Sequence, residues 1–144
     1  MAFYQKTGHR QGEAYLVPAS NVVSVGAVMR WDGNGNVLPA TSISSHHVMV
    51  ALGNKKSTDS DYASATLMTG AMLNSGAEYE CDNVSGTATA GMVGKTYDLL
   101  DSQTLNVAAQ VTRVFTITKF ISATKVWGRF NSSYHFTGGF GNNP

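Results

Sequence analysis

Alternation of apolar and polar positions dominates this chain and is densest between residues 92 and 131. Residues 95–100 form a short extended run, the Asp-Ser-Gln-Thr cluster at 101–104 reads as a turn, and a second run starts at 105–107. Residues 111–121 carry the strongest strand pattern, rich in β-branched and aromatic side chains. Phe115, Ile117 and Ile121 share one face, with Arg113 and Lys119 nearer its ends; Val114, Thr116, Thr118 and Phe120 share the other. A turn near Ser122 and Ala123 leads to residues 125–130, where Val126 and Phe130 point one way and Lys125, Trp127 and Arg129 the other. The pattern predicts a hairpin with one wet face.

Strands continue upstream. In residues 21–31, Val23, Val25, Ala27, Met29 and Trp31 alternate with Val22, Ser24, Gly26, Val28 and Arg30, so both faces carry apolar groups, as in a strand covered on both sides. The Asp-Gly-Asn-Gly-Asn run at 32–36 is a strong turn signal, and residues 37–40 resume an extended chain in which Pro39 limits pairing. Residues 46–52 read as a buried strand, and 53–61, with the charge cluster, as a solvated loop. At 62–74, Met68 and Met72 have helical spacing, but Thr66, Thr69 and Gly70 weaken a helix, so a strand interrupted near Gly70 is expected. Residues 77–82 form another strand, and 86–91 a loose link. With no internal repeat, the prediction is an all-β single domain: a compact β-barrel or β-tulip over residues 22–136, an extended N-terminal arm at 1–21 and a flexible tail at 137–144. A chain of 144 residues can bury a core of its own.

Composition narrows the functional classes. Charged residues make up 13% and net charge is +1, against roughly 25% charged residues in ordinary soluble domains. There is no electrostatic footprint for nucleic acid and no polybasic membrane patch; such a surface is easier to tile against neighbours than a highly charged one. The single Cys81 rules out an internal disulfide framework and, in a strand-like run, reads as a buried small hydrophobe. The first twenty residues lack the apolar core of a signal peptide and no stretch approaches a membrane span, which predicts a soluble product made in the cytoplasm. Aromatics on the arm bury much area per ordered residue. Phe3, Tyr4 and Arg10 are therefore the candidate partner contacts, with Phe140 in the tail, and removal of residues 1–15 is expected to leave the domain folded.

Motifs that suggest chemistry do not survive inspection. Gly94-Lys95-Thr96 resembles the end of a phosphate-binding loop, but Thr89 holds the first glycine's position and a strand pattern follows where a helix should start. Asp32, Asn34 and Asn36 mimic the opening of a calcium loop, yet Val37 replaces the required glycine and Ile43 the closing acid; a hairpin turn accounts for the same residues. His46 and His47 point to opposite faces of a strand, and His9 and His135 sit in the terminal regions, so no zinc site is expected. Asp98 and Asp101 flank a turn, no Gly-x-Ser-x-Gly elbow is present, and Cys81 has no histidine near it in sequence. No catalytic residue, metal or cofactor is expected. Tyr4, Trp31, Trp127 and Tyr134 are candidates for stacking on sugars, with core or interface packing as the favoured alternative.

Three stretches resemble the small capsid decoration, or cement, proteins of tailed bacteriophages: VGAVMRWDGNGNVLPATS with HHVMVALGNK, then ATLMTGAMLNSGAEYECDN, then VGKTYDLLDSQTLNV with VFTITKFISATKVWGRF. Together they cover about residues 22–130. The resemblance rests on turns and apolar strands, so no functional residue transfers through it. It implies a β-barrel or β-tulip domain on the outer surface of the virion head, clamping neighbouring copies of the major capsid protein, itself as a trimer or other small cluster. The alternative from another class is a glycan- or receptor-binding module on a virion fibre or cell surface, marked by exposed aromatics in a groove.

Overall fold

The computed structural model describes residues 2–8, 12–44, 46–73 and 76–131. Twelve strands lie among them: β1 (Phe3–Gln5), β2 (Gly12–Val17), β3 (Val28–Trp31), β4 (Val37–Pro39), β5 (His47–Ala51), β6 (Thr66–Met72), β7 (Tyr79–Cys81), β8 (Val84–Ser85), β9 (Thr96–Asp101), β10 (Thr104–Asn106), β11 (Phe115–Ser122) and β12 (Lys125–Phe130). A single 3-10 turn, Ala90–Met92, interrupts them. The strands form a seven-stranded sheet in the order β1-β7-β12-β11-β9-β10-β8 and a five-stranded sheet in the order β2-β6-β5-β3-β4. All pairings are antiparallel except β10 with β8.

All-β character is as the sequence predicts, but the expected barrel or tulip is not formed. Each sheet ends on two different strands that do not hydrogen-bond to each other, so neither closes. The five-stranded sheet curls: its edge strand β2 places Tyr15 against Trp31 of β3, ring centroids 4.9 Å apart, and Val17 joins Val37 of β4 in one cluster. Edge side chains meet there without a backbone ladder.

The chain path explains the packing. It starts in the large sheet with β1, leaves to build the whole small sheet, and returns at β7, which pairs with β1 through Phe3 opposite Cys81 and Gln5 opposite Tyr79. One core is shared by both sheets, with Val28 and Val50 of the small sheet meeting Phe3, Tyr79, Phe115 and Phe130 of the large one. A second core, Val17, Met29, Met49, Met68 and Met72 among others, fills the concave side of the small sheet. Val28 and its neighbour Met29 thus serve different cores, the two-sided cover that the apolar alternation predicts.

The stretch read as an arm is structural. It supplies β1 to one sheet and β2 to the other, and Phe3 is fully buried, 5.7 Å from Phe115 and 5.5 Å from Phe130 between ring centroids. Phe3 is therefore a core group and not a surface contact; its aromatic area is committed within the chain. The tail at 137–144 lies outside the described residues.

Other boundaries move for local reasons. Residues 21–27 are not strand, because Gly26 takes a φ of 89° and Ala27 N–H closes a turn on Ser24. Residues 111–114 are drawn off β11 by Asp98, whose carboxylate accepts the Val111 and Arg113 amides at 2.9 and 2.7 Å, and Arg113 takes a φ of 53°. At Gly70 the expected interruption is absent: β6 runs through it, and the side chain of Met49 occupies the space where a Cβ would stand. Within the solvated 53–61 loop Lys55 is buried, its ammonium donating to the carbonyls of Ser64 at 2.9 Å, Pro18 at 3.1 Å and Val17 at 3.4 Å.

Truncating Phe3 to alanine is expected to cost about 3–5 kcal/mol, read as a lower urea midpoint. Deleting residues 1–15 should abolish the cooperative transition altogether; a truncated chain that still unfolds cooperatively would show that β1 is dispensable.

Candidate functional site

Two constellations stand out. The first lies on the outward face of the seven-stranded sheet, where register puts Tyr4 opposite Glu80, Glu80 opposite Trp127 and Trp127 opposite Lys119. Because Phe3, Tyr79 and Val126 point inward, the alternating neighbours make one rung across four strands. Glu80 is its hub. It accepts the Tyr4 hydroxyl at 2.6 Å on Oε1 and the Trp127 indole N–H at 3.0 Å on Oε2. The ammonium groups of Lys6 and Lys125 stand 3.9 and 3.8 Å away. Burial pushes its carboxyl up, but the hydrogen bonds from Tyr4 and Trp127, then the charges of Lys125 and Lys6, outweigh it and hold the group below its ordinary value. Lys119 and Lys6 sit over the indole of Trp127 at 4.5 and 5.3 Å. The rung is a pre-ordered aromatic and cationic surface in which Trp127 is already engaged by protein groups, its N–H as well as its ring.

The second constellation is a groove at the end of the five-stranded sheet. Trp31 and His46 line two adjoining open recesses of about 520 and 440 Å³. Gly33 and Gly35 wall the first; Arg30, Thr41, Ile43 and Ser44 wall the second. The β3–β4 turn that forms one side is tied by Asp32, whose Oδ1 accepts the amides of Asn34 at 2.7 Å and Asn36 at 3.0 Å. These bonds hold Asp32 below its ordinary pKa and account for the calcium-like spacing as turn chemistry. Gly33 and Gly35 have φ near +90°, the left-handed region glycine tolerates. Trp31 is half-buried, its ring set nearly perpendicular to Tyr15.

The residues singled out from sequence separate widely. Phe3 is in the core and Tyr4 on the rung; Arg10 and Phe140 lie outside the described residues, as do His9, His135 and Tyr134. His46 faces the groove while His47 is fully buried, on the other side of the chain as alternation requires. Asp98 is buried and bound to backbone amides, and Asp101 accepts the Gln103 amide at 2.8 Å, so the two do not converge on a common point. Cys81 is buried and its thiol is pushed up to about 12 by burial, which makes it inert as a nucleophile. Among the described residues no group of three histidine, cysteine or acidic side chains is arranged to hold a metal. Sequence reading missed Glu80 as a hub and the recess lined jointly by β3 and the loop at Thr41 to Ser44. The signal for the first lay in an acid placed between two buried strand positions, Tyr79 and Cys81.

His47 carries a pH prediction. Neither ring nitrogen has a hydrogen-bond partner among the described residues, and burial, reinforced by the charges of His46 and Arg30, lowers its pKa from 6.5 to about 4. The unfolded chain binds a proton below pH 6.5 that the fold refuses until about pH 4. His47's contribution is therefore complete above 6.5 and lost as pH falls through this window, a drop of about 3 kcal/mol. Denaturant titrations at pH 7 and pH 4.5 should resolve most of it, and His47→Leu should flatten the dependence; an equal slope in the variant would assign the effect elsewhere. Comparison with known proteins gives no family: no protein-family model matches the chain, and no curated protein matches it.

Proposed function

We propose that this chain is a structural virion protein that binds the outer surface of a tailed-phage head and stabilises it by bridging neighbouring subunits of the major capsid protein. The reading rests on the three stretches that resemble capsid decoration proteins, and one structural observation carries it further: the Tyr4–Glu80–Trp127–Lys119 rung. Four strands hold these side chains against one another before any partner arrives, so docking on them orders few new rotamers. Tyr and Trp, the aromatic side chains of the rung, are residue types enriched at the centre of protein-contact surfaces.

Self-association into a trimer or other small cluster is part of the same proposal. It is supported by Leu16 and Leu67, a cross-strand pair on β2 and β6 that is 41% and 69% exposed. Apolar side chains paired at a sheet edge favour contact with another copy. No chemistry is assigned to the chain, and binding to many capsid subunits at once multiplies weak individual contacts.

Quantitative mass spectrometry of purified virions should find this chain at a copy number comparable to the major capsid protein. Charge reversal at Lys119, which lies over the outer face of Trp127 and makes no ion pair with Glu80, should reduce that number with little change in the thermal midpoint of the free protein. A handful of copies per particle, or none, would overturn the proposal.

A further inference from the structure

The turn between β3 and β4 carries an Asp32-Gly33 pair and an Asn34-Gly35 pair, and the fold treats them differently. We propose that Asn34 is a site of spontaneous deamidation through a succinimide, while its neighbour Asp32 is held out of the same chemistry. Nothing in this depends on the decoration reading or on a bound ligand.

Succinimide closure needs a backbone nitrogen that can attack the side-chain carbonyl carbon of the residue before it. Residues 33–35 are exposed, so water and hydroxide have access. The amide of Gly35 donates to no group among the described residues, which leaves its proton open to removal. Gly35 also has no side chain to screen that nitrogen, and nothing lies within 4 Å of where its Cβ would stand.

The electrophile is equally unheld. Among the described asparagines, Asn34 alone makes no hydrogen bond through its side chain. Asn21, Asn83 and Asn131 donate to backbone carbonyls, Asn54 and Asn106 accept backbone amides, and Asn36 bonds to Asp32. Asn21, Asn36, Asn83 and Asn106 are each followed by valine, whose branched side chain crowds its own nitrogen. After Asn54 the Lys55 amide is committed to the Val23 carbonyl at 2.8 Å. Asp32 differs at the carbonyl carbon. Its Oδ1 accepts the Asn34 and Asn36 amides at 2.7 and 3.0 Å, bonds that favour the carboxylate, and ring closure from an aspartate requires the neutral acid.

In the reaction hydroxide takes the Gly35 amide proton, the nitrogen bonds to Asn34 Cγ, and Nδ2 leaves as ammonia with a proton from water. Water then opens the ring. Addition at Cγ gives aspartate; addition at the Asn34 backbone carbonyl gives isoaspartate, with the main chain rerouted through the side chain. Either product replaces a neutral amide by a carboxylate and takes the net charge from +1 to zero, where copies repel one another least. Isoaspartate adds a methylene to the turn, whereas the pairing of Arg30 with Leu38 and Trp31 with Val37 lies outside it.

The test holds the full-length chain for several weeks at physiological temperature and mildly alkaline pH, with the same chain in guanidinium as the unfolded reference. Peptide mapping with electron-transfer fragmentation separates aspartate from isoaspartate. It should find Asn34 converting about tenfold faster than any other described asparagine of the folded chain, at a rate close to that of the reference. Asn34→Ser should stop the drift toward more acidic forms on isoelectric focusing. At mildly acidic pH, where the unfolded Asp32 has a small neutral fraction, its isomerisation should be slower in the folded chain than in the reference. An Asn34 that stays intact in the folded chain while the reference converts would overturn the proposal, as would no conversion in either. Equal conversion at another described asparagine would do the same, and Asp32 isomerising as fast when folded as when unfolded would overturn its protection.

Discussion

The fold depends on one aromatic cluster centred on Phe130. Its ring meets Tyr79 and Phe115 edge-to-face at 5.1 Å, and Phe3 at 5.5 Å and His47 at 6.3 Å in tilted contacts, all between centroids. These partners come from β1, β5, β7 and β11, so a single side chain joins the start of the described chain, the small sheet and the central hairpin. The hairpin can bring the rings this close because β12 carries Gly128 beneath Phe115: a Cβ there would overlap both the Phe115 ring and the Thr116 carbonyl. Edge-to-face packing of this kind adds to the burial of area a directional preference that fixes how the sheets sit on one another.

Around that cluster the buried charged groups serve architecture. Glu80 ties β1 to β12, Asp98 folds residues 111–113 back toward β9, and Lys55 gathers carbonyls from two loops. Each has hydrogen-bond partners that offset its desolvation. Arg30 differs: it is half-buried, without a carboxylate partner among the described residues, and borders a groove. The rung differs again, because its aromatic side chains are ordered at the surface by contacts across four strands.

The central hairpin was legible because its alternation is local. Phe115, Ile117, Val126 and Phe130 are buried and Lys125, Trp127 and Arg129 are less so, as period two demands. The turn at 32–36 and the two-sided strand at Val28 and Met29 were legible for the same reason. What was not legible depends on distant partners. Nothing in Phe3-Tyr4-Gln5 announces a mate more than seventy residues away, so the segment looked like an arm. Sheet closure likewise depends on whether two edges form a ladder, and curling alone, as between Tyr15 and Trp31, does not supply one. Gly70 seemed a breaker because the sequence does not reveal that Met49 fills its place. The groove combines Arg30 and Trp31 with a loop some fifteen residues on, a proximity that only the fold creates.

The excursion between β1 and β7 also sets an order on biosynthesis. Strand β1 emerges from the ribosome long before residues 79–81, and the small sheet, whose pairings are all internal to residues 12–72, can assemble in the interval. Phe3 and the backbone of β1 meanwhile have no sheet to join. Closing so long a loop is slow compared with forming the hairpins inside it. The nascent chain therefore presents an unpaired apolar strand for much of its synthesis, and its solubility in that interval depends on how rapidly the small sheet forms and how soon β7 arrives.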